Sequence, residues 1–445
     1  MNRFVRSIVS LAPVRAVRNE YVRAYSGLPR RAWILFAVNF INASGAMVFF
    51  FLSLYLTRKI GLTTSQAGQA LSLYGFGSLA GAFAGGWLSD RIGSIGVQKL
   101  SLAACGVLLL VLGQVKALGG ILPLLFGMAF FAGMLYPANA TSMSKICPPE
   151  LQVKGFALNR LANNLGATIG PAVGGMLAVR SYGLLFWADG LTSLAAAAVF
   201  AMLWKGSRVL AEAGRASGGG GGGGVAATGG VLDPETKAGG EQDVVSDGGP
   251  VPQTKARSPW RDGPFLLMLV IFFVWSAVFI QVLSTFPIYM RNVYGLAEDR
   301  IGQLYVVNTI LIVALEMILM EKIRKYPLAR MINISFVLLG VGLGLMPLGR
   351  GFAFGALTVA VWTFGEMLSM PLVTALIAGR ADDSNRGRYM GLNSFAFSLA
   401  FIVGPPVGTA IYDGLGPNAV WYACAGACAV ITIAFSALRP HLEKK

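Results

Sequence analysis

Glu366, Glu316, Arg160 and Asp189 each carry a formal charge inside a stretch of sequence that is otherwise apolar. An ionisable group near the centre of a bilayer-spanning helix costs about 2.5–3.5 kcal/mol on an insertion scale, so such groups are functional candidates by default. A carboxyl in that setting can lose its charge by taking up a proton, which is the chemistry that proton coupling requires. Glu366 is mid-segment and is the leading proton site, with a structural carboxyl paired to a neighbouring helix as the alternative. Glu316 lies towards one end of its segment and Asp189 near an end of another. Arg160, about two turns into its own segment, could hold one of the glutamates, attract an anionic ligand, or snorkel to the interface and do neither.

Other chemistry lacks parts. The chain has 4 cysteines and a single histidine, His441. Cys105, Cys424 and Cys428 fall in apolar segments and Cys147 in a loop, so they read as plain thiols rather than a disulfide framework or metal set. A zinc site or a Ser-His-Asp site cannot be assembled. The expectation is a chain that is not an enzyme and carries neither cofactor nor metal.

The elements that must position the charged groups are membrane helices. Hydrophobic residues make up 55% of the chain and charged residues 13%, whereas soluble domains carry about a quarter charged residues. Apolar runs long enough for a hydrocarbon core, roughly 20 helical residues each, occur near 34–57, 66–89, 98–117, 119–143, 154–178 and 183–204. Six more occur near 263–288, 300–320, 327–348, 352–380, 388–411 and 418–438. The fold class is therefore all-α integral membrane, with twelve transmembrane helices. Glycines along the second run, Gly77-Ser78, Gly81 and Gly85-Gly86, offer a small-residue surface for close packing.

Most of the 36 Lys and Arg fall in loops that lie on one side if the N-terminus is cytoplasmic, and the inverted topology would break the positive-inside rule. The net charge of +16 is then topogenic, with attraction to anionic membrane lipids as a consequence. Nucleic-acid binding would need a basic soluble domain, which is missing from the sequence. The expected location is the cell membrane, with both termini cytoplasmic.

Five regions are expected. Residues 1–32 form a basic cytoplasmic segment, with Arg3, Arg6, Arg15, Arg18 and Arg23 against a single acid, Glu20; it reads as an interfacial helix, with an organelle transit peptide as the alternative. Residues 33–204 form one six-helix bundle and 260–438 a second. Between them, 205–259 is Gly-rich, with the run Gly218 to Gly224, and is expected to be a disordered cytoplasmic tether. Residues 439–445 are a cytoplasmic tail.

The two bundles are copies. Leu158-Asn159, Gly170-Pro171 and Gly174 return 234 positions later as Leu392-Asn393, Gly404-Pro405 and Gly408, and Pro137 and Phe130 pair with Pro371 and Phe364 at the same offset. Two such halves in a membrane suggest a transporter.

Gly86-Trp87-Leu88-Ser89-Asp90-Arg91-Ile92-Gly93 resembles the loop-2/3 signature of the major facilitator superfamily. The resemblance implies a conformational latch formed by Gly86, Asp90, Arg91 and Gly93, in which the aspartate meets the positive end of another helix. Ser94-Ile95 stand where the signature usually continues with basic residues, which suggests a weaker latch. Gly166, Gly170, Pro171, Gly174 and Gly175 are similar to the antiporter motif of the drug:proton antiporter families. That motif implies a bendable helix between the halves, echoed by Gly404, Pro405 and Gly408, although helix packing alone would select the same pattern. The stretch Arg386 to Leu392, with Gly365-Glu366-Met367, resembles bacterial multidrug-type exporters. Against this, the fourth segment lacks the arginine such antiporters often carry.

In this fold the first, fourth, seventh and tenth segments line a central cavity. They nominate Asn39, Asn42, Tyr136, Asn139, Trp275, Gln281 and Trp362 as substrate contacts, with Asn163 and Asn308 from flanking segments; interhelical glue is the other use for such amides. The reading is a monomeric secondary transporter working by alternating access, with protons and a small-molecule substrate as partners, exporting amphipathic compounds. Proton-coupled metabolite symport and a non-transporting receptor remain the alternatives.

Overall fold

The computed structural model describes residues 26–204, 258–381 and 385–443; the Gly-rich linker, the basic N-terminal arginines up to Arg23 and the last two residues lie outside them. Twelve helical spans account for nearly all of the described chain. They are α1 (Arg30–Lys59), α2 (Thr64–Ile92), α3 (Ser94–Leu112), α4 (Leu118–Ile146), α5 (Gln152–Arg180) and α6 (Tyr182–Leu203). After the linker come α7 (Gly263–Asn292), α8 (Glu298–Ile323), α9 (Leu328–Gly344), α10 (Gly351–Arg380), α11 (Arg386–Leu415) and α12 (Ala419–Glu443). The last helix runs on through the residues read from sequence as the start of a tail.

Short connections fold the helices back and forth. Thr63 starts α2 with a capping box, accepting from Gln66 N at 3.2 Å while its own N–H donates to the Gln66 side chain at 3.0 Å. Gly93 ends α2 at φ +81°, a conformation that disfavours any side chain, and α3 begins at the next residue. The alternation puts the start of α1 and the ends of α2, α4 and α12 at one face, here the terminal face, and the α1–α2, α5–α6 and α7–α8 connections at the far face.

Within the first half α2 packs on α4. Gly77, Gly81 and Gly85 lie against the backbones of Phe126, Phe130 and Met134, and Gly133 lies against Ser78. Gly86, expected to share this role, has open space where a side chain would be, so the close approach belongs to its neighbours.

Among the described residues, nine spans are long and apolar enough on composition alone to cross a bilayer; α2, α5 and α8 fall short. These three sit between the halves: α2 packs on α11 and α5 on α8, so their small and polar residues face protein instead of lipid. The same positions explain the offset of 234. Gly68 on α2 lies against the carbonyl of Pro405 on α11, and Gly302 on α8 lies against that of Pro171 on α5. Both residues of one contact map onto both residues of the other.

The antiporter-like glycines divide by direction. Gly166, Gly170 and Gly174 face α1, against Ala43, Ala46 and Met47, inside their own half, while Pro171 and Gly175 touch α8. In the second half Gly404 and Gly408 likewise face α7, at Ala277 and Gln281. The expectation that this whole glycine set forms the contact between halves is thus corrected. The small residues let α5 approach α1, and that contact sets which α5 residues face the other half.

Candidate functional site: polar groups between the two halves

The polar residues concentrate along the seam between halves. Arg160 of α5 forms an ion pair with Glu316 of α8, joining the two bundles within two to three turns of the terminal face. The arginine side chain is 52% exposed and the glutamate 12%. Two turns further from that face on α8, Asn308 donates from Nδ2 to Glu366 Oε2 at 2.8 Å and to Thr363 Oγ1 at 3.0 Å. Through Asn308, Glu366 of α10 is tied to α8 two turns from the carboxylate that pairs with Arg160. Three of the sequence candidates, Arg160, Glu316 and Glu366, therefore fall in one cluster, and Asn308 supplies its neutral donor.

Tyr136 and Asn163 are the exposed members of the nominated set. On α4, Tyr136 projects between the strip that packs on α2, at Ala129 and Gly133, and the strip facing α3 and α6, at Ala132 and Leu135, yet is 82% exposed. On α5, Asn163 projects between the α1-facing glycines and the α8-facing Arg160 and is also exposed. Both side chains are thus left exposed between packed helix strips.

The far face is shut. Phe49 of α1 stacks on Phe401 of α11 with ring centroids 5.8 Å apart and meets Tyr74 of α2 at 5.2 Å. Phe50 meets Tyr305 of α8 edge-on at 4.9 Å. Ser72 Oγ donates to the Ile402 carbonyl, Ser65 N donates to Asp413 Oδ2 at 2.7 Å, and Tyr182 OH donates to Glu298 Oε1 at 3.0 Å. All of these contacts except Phe49–Tyr74 cross between halves, and none was legible from motif spacing.

Other nominated residues are packed within the bundles. Trp275 and Trp362 are buried; Trp275 is stacked between Phe272 and Phe279, and Phe279 meets Trp362 edge-on. Gln281 is interhelical glue, donating to the Gly404 carbonyl at 2.8 Å. Asn39 donates to Asn159 Oδ1, tying α1 to α5, and Asn139 is buried in α4. Helix membership placed these residues in the lining, but the rotation of each helix turns them into the bundles. Asn42 lines a separate small cavity together with Asp189.

At the terminal face Asp90 is exposed, with no hydrogen bond or ion pair among the described residues, and the Arg91 guanidinium lies 3.9 Å above the Trp87 ring. Two acids missed as functional or not assigned a partner have clear ones. Asp262 caps α7 by accepting from Phe265 N at 3.2 Å, pairs bidentately with Arg380 at 2.7 Å, and accepts from Tyr389 OH at 3.1 Å. Burial works against its charge, but the Arg380, Phe265 and Tyr389 hydrogen bonds hold its carboxyl below the usual range. Asp189 of α6 accepts from the backbone N–H groups of Met47 and Val48. An Asp just before a Gly-Pro helix start signals the first as a cap; the second has no local signal.

Among the described residues no group of three or more His, Cys, Asp or Glu could hold a metal ion.

The sequence profile of the Major Facilitator Superfamily matches residues 33–381 and 329–445. Among similar chains, an uncharacterised MFS-type transporter, YttB, of Bacillus subtilis (strain 168) is 25% identical over 396 residues, covering 88% of this chain and 91% of its own. A Na(+), Li(+), K(+)/H(+) antiporter of Planococcus maritimus is 22% identical, covering 82% and 85%. Among solved structures, a POT family transporter in complex with 5-aminolevulinic acid superposes with a TM-score of 0.74 at 16% identity, over 94% of this chain and 98% of that one.

Proposed function

The chain belongs to the Major Facilitator Superfamily and is a membrane transporter of that type, and from that premise we propose that it is a proton-coupled exporter of amphipathic small molecules, working by alternating access. The observation that carries the proposal is the cluster of Arg160, Glu316 and Glu366 along the seam between halves. Glu366 takes up and releases the coupling proton. In its ionised form it accepts from Asn308 Nδ2; once protonated it is neutral and presents an O–H. Arg160 and Glu316 join one bundle to the other, so a change of charge at Glu366 is felt where the halves must rock. Tyr136 and Asn163 supply an aromatic face and an amide to the ligand. The similarity to a cation/proton antiporter of Planococcus maritimus supports coupling to protons without naming the exported compound.

With the N-terminus cytoplasmic, as the basic loops favour, the face opposite the far-face closure is the cytoplasmic one and the conformation is ready to load from inside. The latch at Asp90 and Arg91 is then disengaged, as an inward-open state requires. The test is a thermal-shift screen of the purified protein against lipophilic cations, peptides, sugars and organic anions, followed by transport of each hit in proteoliposomes containing a pH dye. Export predicts stabilisation by amphipathic compounds and proton movement opposite to theirs. Stabilisation only by peptides, sugars or organic anions would refute it.

Symport of an anionic metabolite is the second reading, favoured by the exposure of the Arg160 guanidinium. It predicts proton and ligand movement in the same direction.

A further inference from the structure

Helix α1 is broken. Its first piece ends at Gly45, its second runs Val48–Leu54, and the chain between them turns at Ala46. A break inside a bilayer exposes backbone donors that lipid cannot satisfy. Here Asp189 Oδ2 accepts from Met47 N at 3.1 Å and from Val48 N at 3.0 Å. The carboxyl is 6% exposed and has no ion pair among the described residues. Beside it is a cavity of about 100 Å³ to which Asn42, Tyr74, Ser101, Cys105 and Ser193 contribute polar groups, enough for more than one water. Among the described residues the titratable groups that share this cavity with Asp189 are Tyr74 from α2 and Cys105 from α3; α1 and α5 contribute none, and no cation lines it.

The residues that follow the capped nitrogens shut the far face. Phe49 is the next residue after Val48 and stacks on Phe401; Phe50 meets Tyr305. Both contacts cross to the second half. We propose that Asp189 is a second proton-binding site, distinct from Glu366, and that its protonation releases the far-face closure. The ionised carboxylate accepts two charge-assisted hydrogen bonds from the backbone at the break. A proton arriving through the small polar cavity removes that charge, weakens both bonds and turns one oxygen into a donor that needs a new acceptor. The Val48–Leu54 piece then loosens, and Phe49 and Phe50 leave the second half.

Amide hydrogen exchange of the full-length protein in lipid nanodiscs tests this, with rates corrected for the intrinsic effect of pH. Between pH 8 and pH 5, exchange across Val48–Leu54 should rise roughly tenfold relative to Leu328–Gly344 in the same sample, and the Phe401 region should follow. Asp189→Asn should exchange rapidly at both pH values. Glu366→Gln should keep the wild-type pH response, which separates this site from the coupling site proposed above. A wild-type segment whose corrected exchange does not change with pH overturns the proposal whether or not Asp189→Asn folds. So does an Asp189→Asn protein that retains the wild-type response.

Discussion

Gly302 of α8 lies against the backbone carbonyl of Pro171 on α5, as Gly68 of α2 lies against that of Pro405 on α11. The two contacts are one contact repeated at the offset of the sequence duplication, and together they hold the bundles shut towards the far face. A methyl group at either glycine would push into main chain that cannot swing away. Gly302→Ala should therefore disfavour this closure by about 1–3 kcal/mol, the usual cost of overpacking. Distances between spin labels at Lys116 and Leu348, in the far-face loops of opposite halves, should shift towards longer values. An unchanged distribution would remove the contact from the account of closure.

The Arg160–Glu316 pair joins the halves near the open face, but the exposure of the arginine limits its strength. A double-mutant cycle with Arg160→Met and Glu316→Gln should give a coupling of about 0.5–1 kcal/mol in thermal stability. Transport should suffer far more than stability, because Arg160 without Glu316 is free to bind the coupling carboxylate permanently. Wild-type transport by Glu316→Gln would exclude the pair from the cycle.

Asp262 links α7, α10 and α11 at the terminal face. Its buried carboxylate is held below the ordinary range mainly against burial by Arg380, so the stability it contributes is present above the unfolded value and is lost as pH falls through the folded one. Asp262→Asn should lower stability at neutral pH by about 3 kcal/mol, the cost of leaving a largely buried partner unpaired. The difference from wild type should shrink below about pH 4, where the unfolded carboxyl takes up its proton. A difference that does not change across that range would mean that the charge is unimportant.

Much of this architecture is legible in the sequence because lipid permits few solutions. Apolar runs locate the spans to within a few residues, and the repeat of Gly170-Pro171 as Gly404-Pro405 relates the halves. Glu316, Glu366 and Arg160 stand out because charge in an apolar run is rare. Rotation about each helix axis is harder to read. Trp275 and Trp362 belong to helices expected to line the cavity but face inward to their own bundle, whereas Tyr136 is exposed. Gly86 shares a motif with Gly85, and only Gly85 meets a neighbour. The partner of Asp189 was invisible because it is the backbone of another helix at a break that no proline or glycine pair marks uniquely. The aromatic contacts that cross between halves, Phe49–Phe401 and Phe50–Tyr305, depend on residues more than 200 positions apart and carry no local pattern.

Whether Glu366 carries the coupling proton can be read from ligand-driven proton flux across proteoliposomes. A ligand identified by thermal shift is added to vesicles containing a pH dye, for wild type and for Glu366→Gln, with ligand binding measured in both. The account predicts binding within a few-fold of wild type in the variant and loss of at least nine-tenths of the ligand-driven proton flux. Proton flux at the wild-type rate in a Glu366→Gln protein that still binds ligand would contradict it.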